Sequence, residues 1–63
     1  MDAELLKQFE NEEVRIVYKD GFKINGVITR INNDSFLFKT NQGISVVDSS
    51  EVRTVVKLNG GQP

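Results

Sequence analysis

Five consecutive residues, Gly21-Phe22-Lys23-Ile24-Asn25, place an aromatic ring, an ammonium and a carboxamide on one short stretch. A single-stranded nucleic acid uses those three groups: an apolar face for a base, a cation for phosphate and an amide for a base edge. On residue types alone the run is also an ordinary exposed start of a strand. Asn32-Asn33-Asp34 could contact nucleotides, but these are equally the residues of a tight turn. Asp48-Ser49-Ser50 offers a carboxylate and two hydroxyls, which either hydrogen-bond to a nucleotide or cap a helical turn. Asp20, Asp34 and Asp48 stand in three separate turns, with nothing to pair them as acid and base. Arg15, Arg30 and Arg53 could contact phosphates, but isolated surface arginines on strands are mostly solvated or paired, and that reading is favoured. The chain has no histidine and no cysteine. The commonest general base, the thiol nucleophile and the softer metal ligands are therefore missing, and no catalysis, metal or cofactor is expected.

These residues sit in a chain of 63 with net charge −1. The total hides an asymmetry. Residues 1–13 hold five carboxylates against one lysine, and residues 14–63 hold seven lysines and arginines against four carboxylates. An acidic segment thus precedes a mildly basic body. A domain this short buries only about 60% of the surface of its unfolded chain, and its own core is marginal. Disulfides and thiolate metal sites are excluded by composition, so association with further subunits is the expected source of extra stability. No apolar run approaches the roughly 20 residues of a membrane-spanning helix. The acidic start Met1-Asp2-Ala3-Glu4 is unlike a signal peptide, and the expectation is a cytoplasmic protein.

The elements that must position these groups follow from periodicity. Residues 2–11 predict a short helix, with Asp2 as its N-cap and Leu5, Leu6 and Phe9 as one apolar stripe. Such a helix is too short to stand alone in water and must pack on something. From Val14 the pattern turns to strands. Val14–Lys19 is the first, with Val14, Ile16 and Tyr18 on one face. Asp20-Gly21 makes a hairpin turn, and Phe22–Ile31 is a long second strand. The apolar positions of this second strand change parity, and Gly26 at the change predicts a bend or bulge. Ser35–Lys39, Ile44–Val47 and Val52–Leu58 complete five strands, with Asn32-Asn33-Asp34 and Asn41-Gln42-Gly43 as turns. Asp48–Glu51 reads as one helical turn capped by Asp48, and residues 59–63 as a flexible tail. Tyr18, Phe36 and Phe38 are core candidates. With no helical crossover the sheet is antiparallel, and five strands lacking a second layer must curl into a small barrel. The fold class is therefore all-β with one N-terminal helix: a single domain over residues 1–58, with the helix at 2–11 and the barrel at 14–58.

The run from Val14 to Ile28, with its apolar strand, Asp20-Gly21 turn, Phe22-Lys23-Ile24-Asn25-Gly26 and branched Ile28, resembles the first motif of Sm-like proteins in its bacterial Hfq form. Asn32 to Lys39 aligns without a gap with that family's next loop and strand, and Val52-Arg53-Thr54-Val55-Val56 resembles its closing strand. The resemblance covers residues 4–58. It implies a homo-oligomeric ring, usually a hexamer, in which the fourth strand of one subunit pairs with the fifth of the next. It also implies binding of single-stranded RNA in post-transcriptional regulation. On one ring face, Gly21, Phe22, Lys23, Ile24, Asn25 and Thr54 match positions that cradle purine-rich RNA, while Val17 stands where the family usually has an aromatic platform. On the pore-type face the matching positions are Asn33, Asp34, Asp48, Ser49 and Ser50. There the family's Tyr/Phe-Lys-His signature is replaced by Asp48-Ser49-Ser50, and its basic rim by Phe9-Glu10-Asn11-Glu12-Glu13. A ring that has lost RNA binding and meets a protein partner through its acidic face is the rival expectation. A monomeric SH3-like interaction module is a third.

Overall fold

The computed structural model describes residues 1–58; the expected tail at 59–63 lies outside them. Five strands form one antiparallel sheet: β1 (Glu13–Tyr18), β2 (Lys23–Ile31), β3 (Ser35–Thr40), β4 (Gly43–Asp48) and β5 (Val52–Lys57). Their order is β4-β3-β2-β1-β5, so β4 and β5 are the two edges and are not joined to each other within the chain. Val14 and Ile16 of β1, Ile28 of β2, Phe36 and Phe38 of β3, Val47 of β4, and Val52 and Val55 of β5 nonetheless bury into one cluster. A flat sheet cannot gather one face of all five strands around a single point, so the sheet is curled into an incomplete barrel. Each fully buried Phe contributes roughly 1.5–3 kcal/mol of transfer free energy. Phe36 and Phe38 add an edge-to-face contact, with ring centroids 6.2 Å apart.

The helix is shorter than the apolar stripe suggests. A four-residue α-helix, α1 (Ala3–Leu6), tightens into a 3₁₀ turn at Lys7–Phe9. Asp2 does cap it, accepting from the Glu4 N–H at 3.1 Å. The helix stops because the chain already joins the sheet at Glu10, which bridges Ile28. Asn11 takes a left-handed φ of 65° and donates its N–H to the Ile28 carbonyl at 2.6 Å. In the tighter coil side chains three apart share a side. Leu6 is accordingly fully buried and Phe9 packs on the core, while Leu5 is left about half exposed.

β2 is the element that shapes the molecule. Its first half, Lys23–Val27, pairs with β1, and its second half, Val27–Ile31, pairs with β3. The parity change expected at Gly26 falls instead at Thr29, where the β2–β3 register slips between Ile28 and Arg30. Ile24, Gly26 and Ile28 face inward before the slip, and Ile31 packs on the core after it. Gly26 serves another purpose. A Cβ there would lie 2.5 Å from the Lys39 carbonyl oxygen and 2.8 Å from the Phe38 ring. The absent side chain is what lets β3 cross β2 so closely. Among the described residues no helix is long and apolar enough to cross a membrane.

Candidate nucleic-acid interface

The β1–β2 hairpin builds the start of the site. Gly21 adopts φ 91°, a conformation that glycine takes without strain. Asp20 closes the turn by accepting from the Phe22 N–H at 2.9 Å, and the Tyr18 N–H donates to the Phe22 carbonyl at 2.8 Å. Phe22 is thereby held at the mouth of the hairpin, 61% exposed, with its ring stacked on Tyr18 at 6.1 Å between centroids. Tyr18 is thus half-buried beneath Phe22 rather than a full core residue. Burial, with the nearby Asp20 carboxylate, raises its phenol above the ordinary value and keeps it neutral.

Register sorts the other residues by face. Arg15 lies opposite Asn25, Val17 opposite both Lys23 and Thr54, and Val27 opposite Lys39. Directly paired side chains share a face. Lys23, Asn25 and Thr54 are therefore together on the outer surface. Ile24 is on the inner side, partly buried against the core. An open groove of about 1040 Å³ runs along the free edge of the first half of β2 and takes in residues of both faces, Gly26 and the remaining surface of Ile24 among them. Phe22, Lys23 and Asn25 form one wall, with Arg15 beside them, and Lys39, Asn41 and Gln42 of the β3–β4 hairpin form the other. Thr54 and Gly21 do not line it.

The groove exists because β3 pairs only with the second half of β2. Beside Lys23 and Asn25 no strand continues the sheet. In an antiparallel ladder alternate residues bond to alternate sides. Since Phe22 bonds to Tyr18, the main-chain groups of Lys23 and Asn25 turn away from β1 and toward the groove. The hairpin opposite is fixed by Thr40, whose hydroxyl accepts from the Gln42 N–H at 3.2 Å and donates to the Gly43 carbonyl at 3.4 Å. Lys39, Asn41 and Gln42 are not among the binding residues expected from the sequence, and for Arg15 binding is there only the less favoured of two readings. Alternation along β1 signals Arg15, but the other three come to the site only through the β2–β3 register.

The pore-type residues also come together, though differently. The Ser49 N–H and hydroxyl both donate to the Asp34 carbonyl, at 2.9 and 3.0 Å, joining the β2–β3 loop to the 3₁₀ turn Ser49–Glu51. Asp48 accepts from the N–H and the hydroxyl of Ser50. These bonds hold the Asp48 carboxyl below its ordinary value, burial opposing and the Met1 amine and Lys19 assisting. Ser49 is buried with its hydroxyl committed, so it is removed from any ligand. Two carboxylates and a capped turn remain, with the Met1 ammonium beside them already donating to the Ser49 and Val52 carbonyls. Asn33 lies instead beside α1, on a small cleft with Asp2, Glu4 and Lys7.

No family model matches the chain, and no curated protein or solved structure matches it.

Proposed function

We propose that this chain is a subunit of an Sm-like, Hfq-like ring that binds single-stranded RNA in the groove beside β2, acts in RNA-based regulation and performs no chemistry of its own. One observation carries the reading. An exposed aromatic ring, three cations and three side-chain amides line a single groove, although the protein as a whole is slightly acidic. An acidic protein gains nothing from long-range attraction to RNA, so recognition has to be local. Phe22 supplies a face for one base, and stacking of this kind contributes roughly 1–3 kcal/mol per base. The main-chain groups of Lys23 and Asn25 offer donors and acceptors to a base edge, and the ammonium groups of Lys23 and Lys39 meet phosphate.

Ring formation is supported by the edges. The two strands that the resemblance expects to pair between subunits, β4 and β5, are the two unpaired edges of the sheet. Ile44 and Val46 on β4 are 62% and 72% exposed, and Val56 on β5 is 47% exposed. Edge strands of this character call for a partner. Several grooves on one ring then bind one strand with avidity.

The test is a fluorescence-anisotropy titration of the oligomer with A-rich and U-rich single-stranded RNA at near-physiological salt. Tight binding to the A-rich strand is expected, and Lys23→Glu should weaken it at least tenfold while leaving oligomer size unchanged. Undiminished affinity in Lys23→Glu would remove RNA from this face. No binding to either strand by an intact ring would favour the protein-scaffold reading, which the carboxylates Asp34 and Asp48 on the opposite loops support. A monomer in light scattering would favour the SH3-like module.

A further inference from the structure

Arg15 is one of two groove cations that lie outside the Phe22–Asn25 run, and it is the one held by a side-chain hydrogen bond. It stands opposite Asn25 across β1 and β2, and its Nε donates to Asn25 Oδ1 at 2.9 Å. Because Nε can only donate, the amide orientation is settled: the Asn25 oxygen turns to Arg15 and its NH₂ group turns away. The terminal guanidinium nitrogens make no hydrogen bond or ion pair among the described residues. The Arg15–Asn25 pair therefore presents mainly side-chain donors to the groove, with one lone pair of the Asn25 oxygen already taken. Lys23 and Lys39 line the same groove, and among the described residues Glu13 is its only carboxylate.

A ligand group that suits this surface is anionic and purely accepting. Most nucleobase edges mix donors with acceptors, and the purely accepting O6/N7 edge of guanine is uncharged, whereas phosphodiester oxygens accept and are anionic. A guanidinium held by its Nε keeps its planar end free for a two-point contact with such oxygens. We propose that Arg15, oriented by Asn25, contacts a backbone phosphodiester of a single-stranded RNA lying in the groove between Phe22 and the β3–β4 hairpin. This rests on the RNA reading above and adds a phosphate subsite to it. Asn25 is then a positioning residue for Arg15 as well as a donor in its own right. A carboxylate on a protein partner would satisfy the same donors. The exposed Phe22 ring and the length of the groove favour a strand that alternates bases with phosphates.

The experiment titrates the full chain with the tighter-binding of an A-rich and a U-rich RNA across a salt series, for wild type, Arg15→Gln and Arg15→Lys. Circular dichroism and light scattering first establish that each variant keeps its fold and assembly. Arg15→Gln should lower affinity and make the slope of log K against log salt shallower by about 0.7 for each phosphate that is no longer neutralised. Arg15→Lys, which keeps the charge but not the planar fork, should keep the slope and still bind more weakly. Wild-type affinity and slope in Arg15→Gln would overturn the phosphate subsite and leave the RNA reading standing. Weaker binding at an unchanged slope would mean that Arg15 meets a base, and would also overturn it. Absence of RNA binding by the wild type itself would remove the functional reading, and the subsite with it.

Discussion

At Asp48 one carboxylate oxygen accepts both the N–H of Ser50, at 3.0 Å, and its hydroxyl, at 2.9 Å. Both bonds favour the ionised form, and the Asp48 carboxyl is held below its ordinary value of 3.8. In the unfolded chain those bonds are gone and the ordinary value returns. The contribution to stability is therefore fully present above about pH 3.8 and disappears as pH falls through the lower folded value. Asp48→Asn keeps an acceptor oxygen but removes the charge. It should melt below wild type at pH 7, and the gap should close as pH is taken from 5 down past 3.8. Circular-dichroism melts at several pH values read this directly, and a gap that persists at low pH would assign the effect to something other than ionisation. The same residue shows how far side-chain identity carries meaning. Capping by Asp48 was legible because Asp followed by Ser-Ser before a strand is a local pattern. The fate of Ser49 was not, since its hydroxyl goes to the Asp34 carbonyl fifteen residues back in the chain.

Among the elements, β2 decides both the fold and the groove, and its sequence discloses one of them. Five strands, their turns and the antiparallel order follow from period-two alternation and from Asp-Gly, Asn and Gly punctuation, all of them local signals. A bend near the middle of β2 was legible too, because the apolar positions change parity. Its mechanism was not. The parity slips at Thr29, while Gly26 is required by the approach of β3, a tertiary fact. The helix is shorter than its sequence suggests for a related reason: Leu5, Leu6 and Phe9 fit an α-helical stripe, but the Asn11–Ile28 bond pulls the chain into the sheet before a second α-helical turn forms. Likewise Lys39, Asn41 and Gln42 carry no motif, and only the pairing of Val27 with Lys39 brings them opposite Lys23. Gly26→Ala separates these roles. Since the new methyl would meet the Lys39 carbonyl, which belongs to backbone and cannot rotate aside, destabilisation of about 1–3 kcal/mol is expected from a denaturant melt. A neutral result would mean that β3 can retreat at no cost, and that the groove wall it carries is not fixed by this crossing.

At the scale of the whole molecule the question is what completes so small a fold. The core draws on every strand, yet the sheet ends in two unpaired edges, and Val46 is 72% exposed on one of them. Natural edge strands that are meant to stay free carry lysine or proline outward; here β4 carries Ile44 and Val46. Val46→Lys puts that protective device on the outer face of β4 without touching the core, because the side chain makes no part of the buried cluster. If β4 pairs with β5 of a neighbour, the variant should fall from a multiple of 7.1 kDa toward a single chain in light scattering. It should also melt at a lower temperature, because assembly no longer stabilises the folded protomer. RNA binding should follow. Each groove is shallow and contributes little alone, so a monomer with an intact groove should bind a long strand on the order of 10²-fold or more less tightly than the ring, through loss of avidity alone. A short RNA that occupies one groove should be bound equally by both. That pairing of results distinguishes a broken ring from a damaged site. If the long strand is instead bound equally well by ring and monomer, recognition is confined to one subunit, and assembly must serve stability rather than binding.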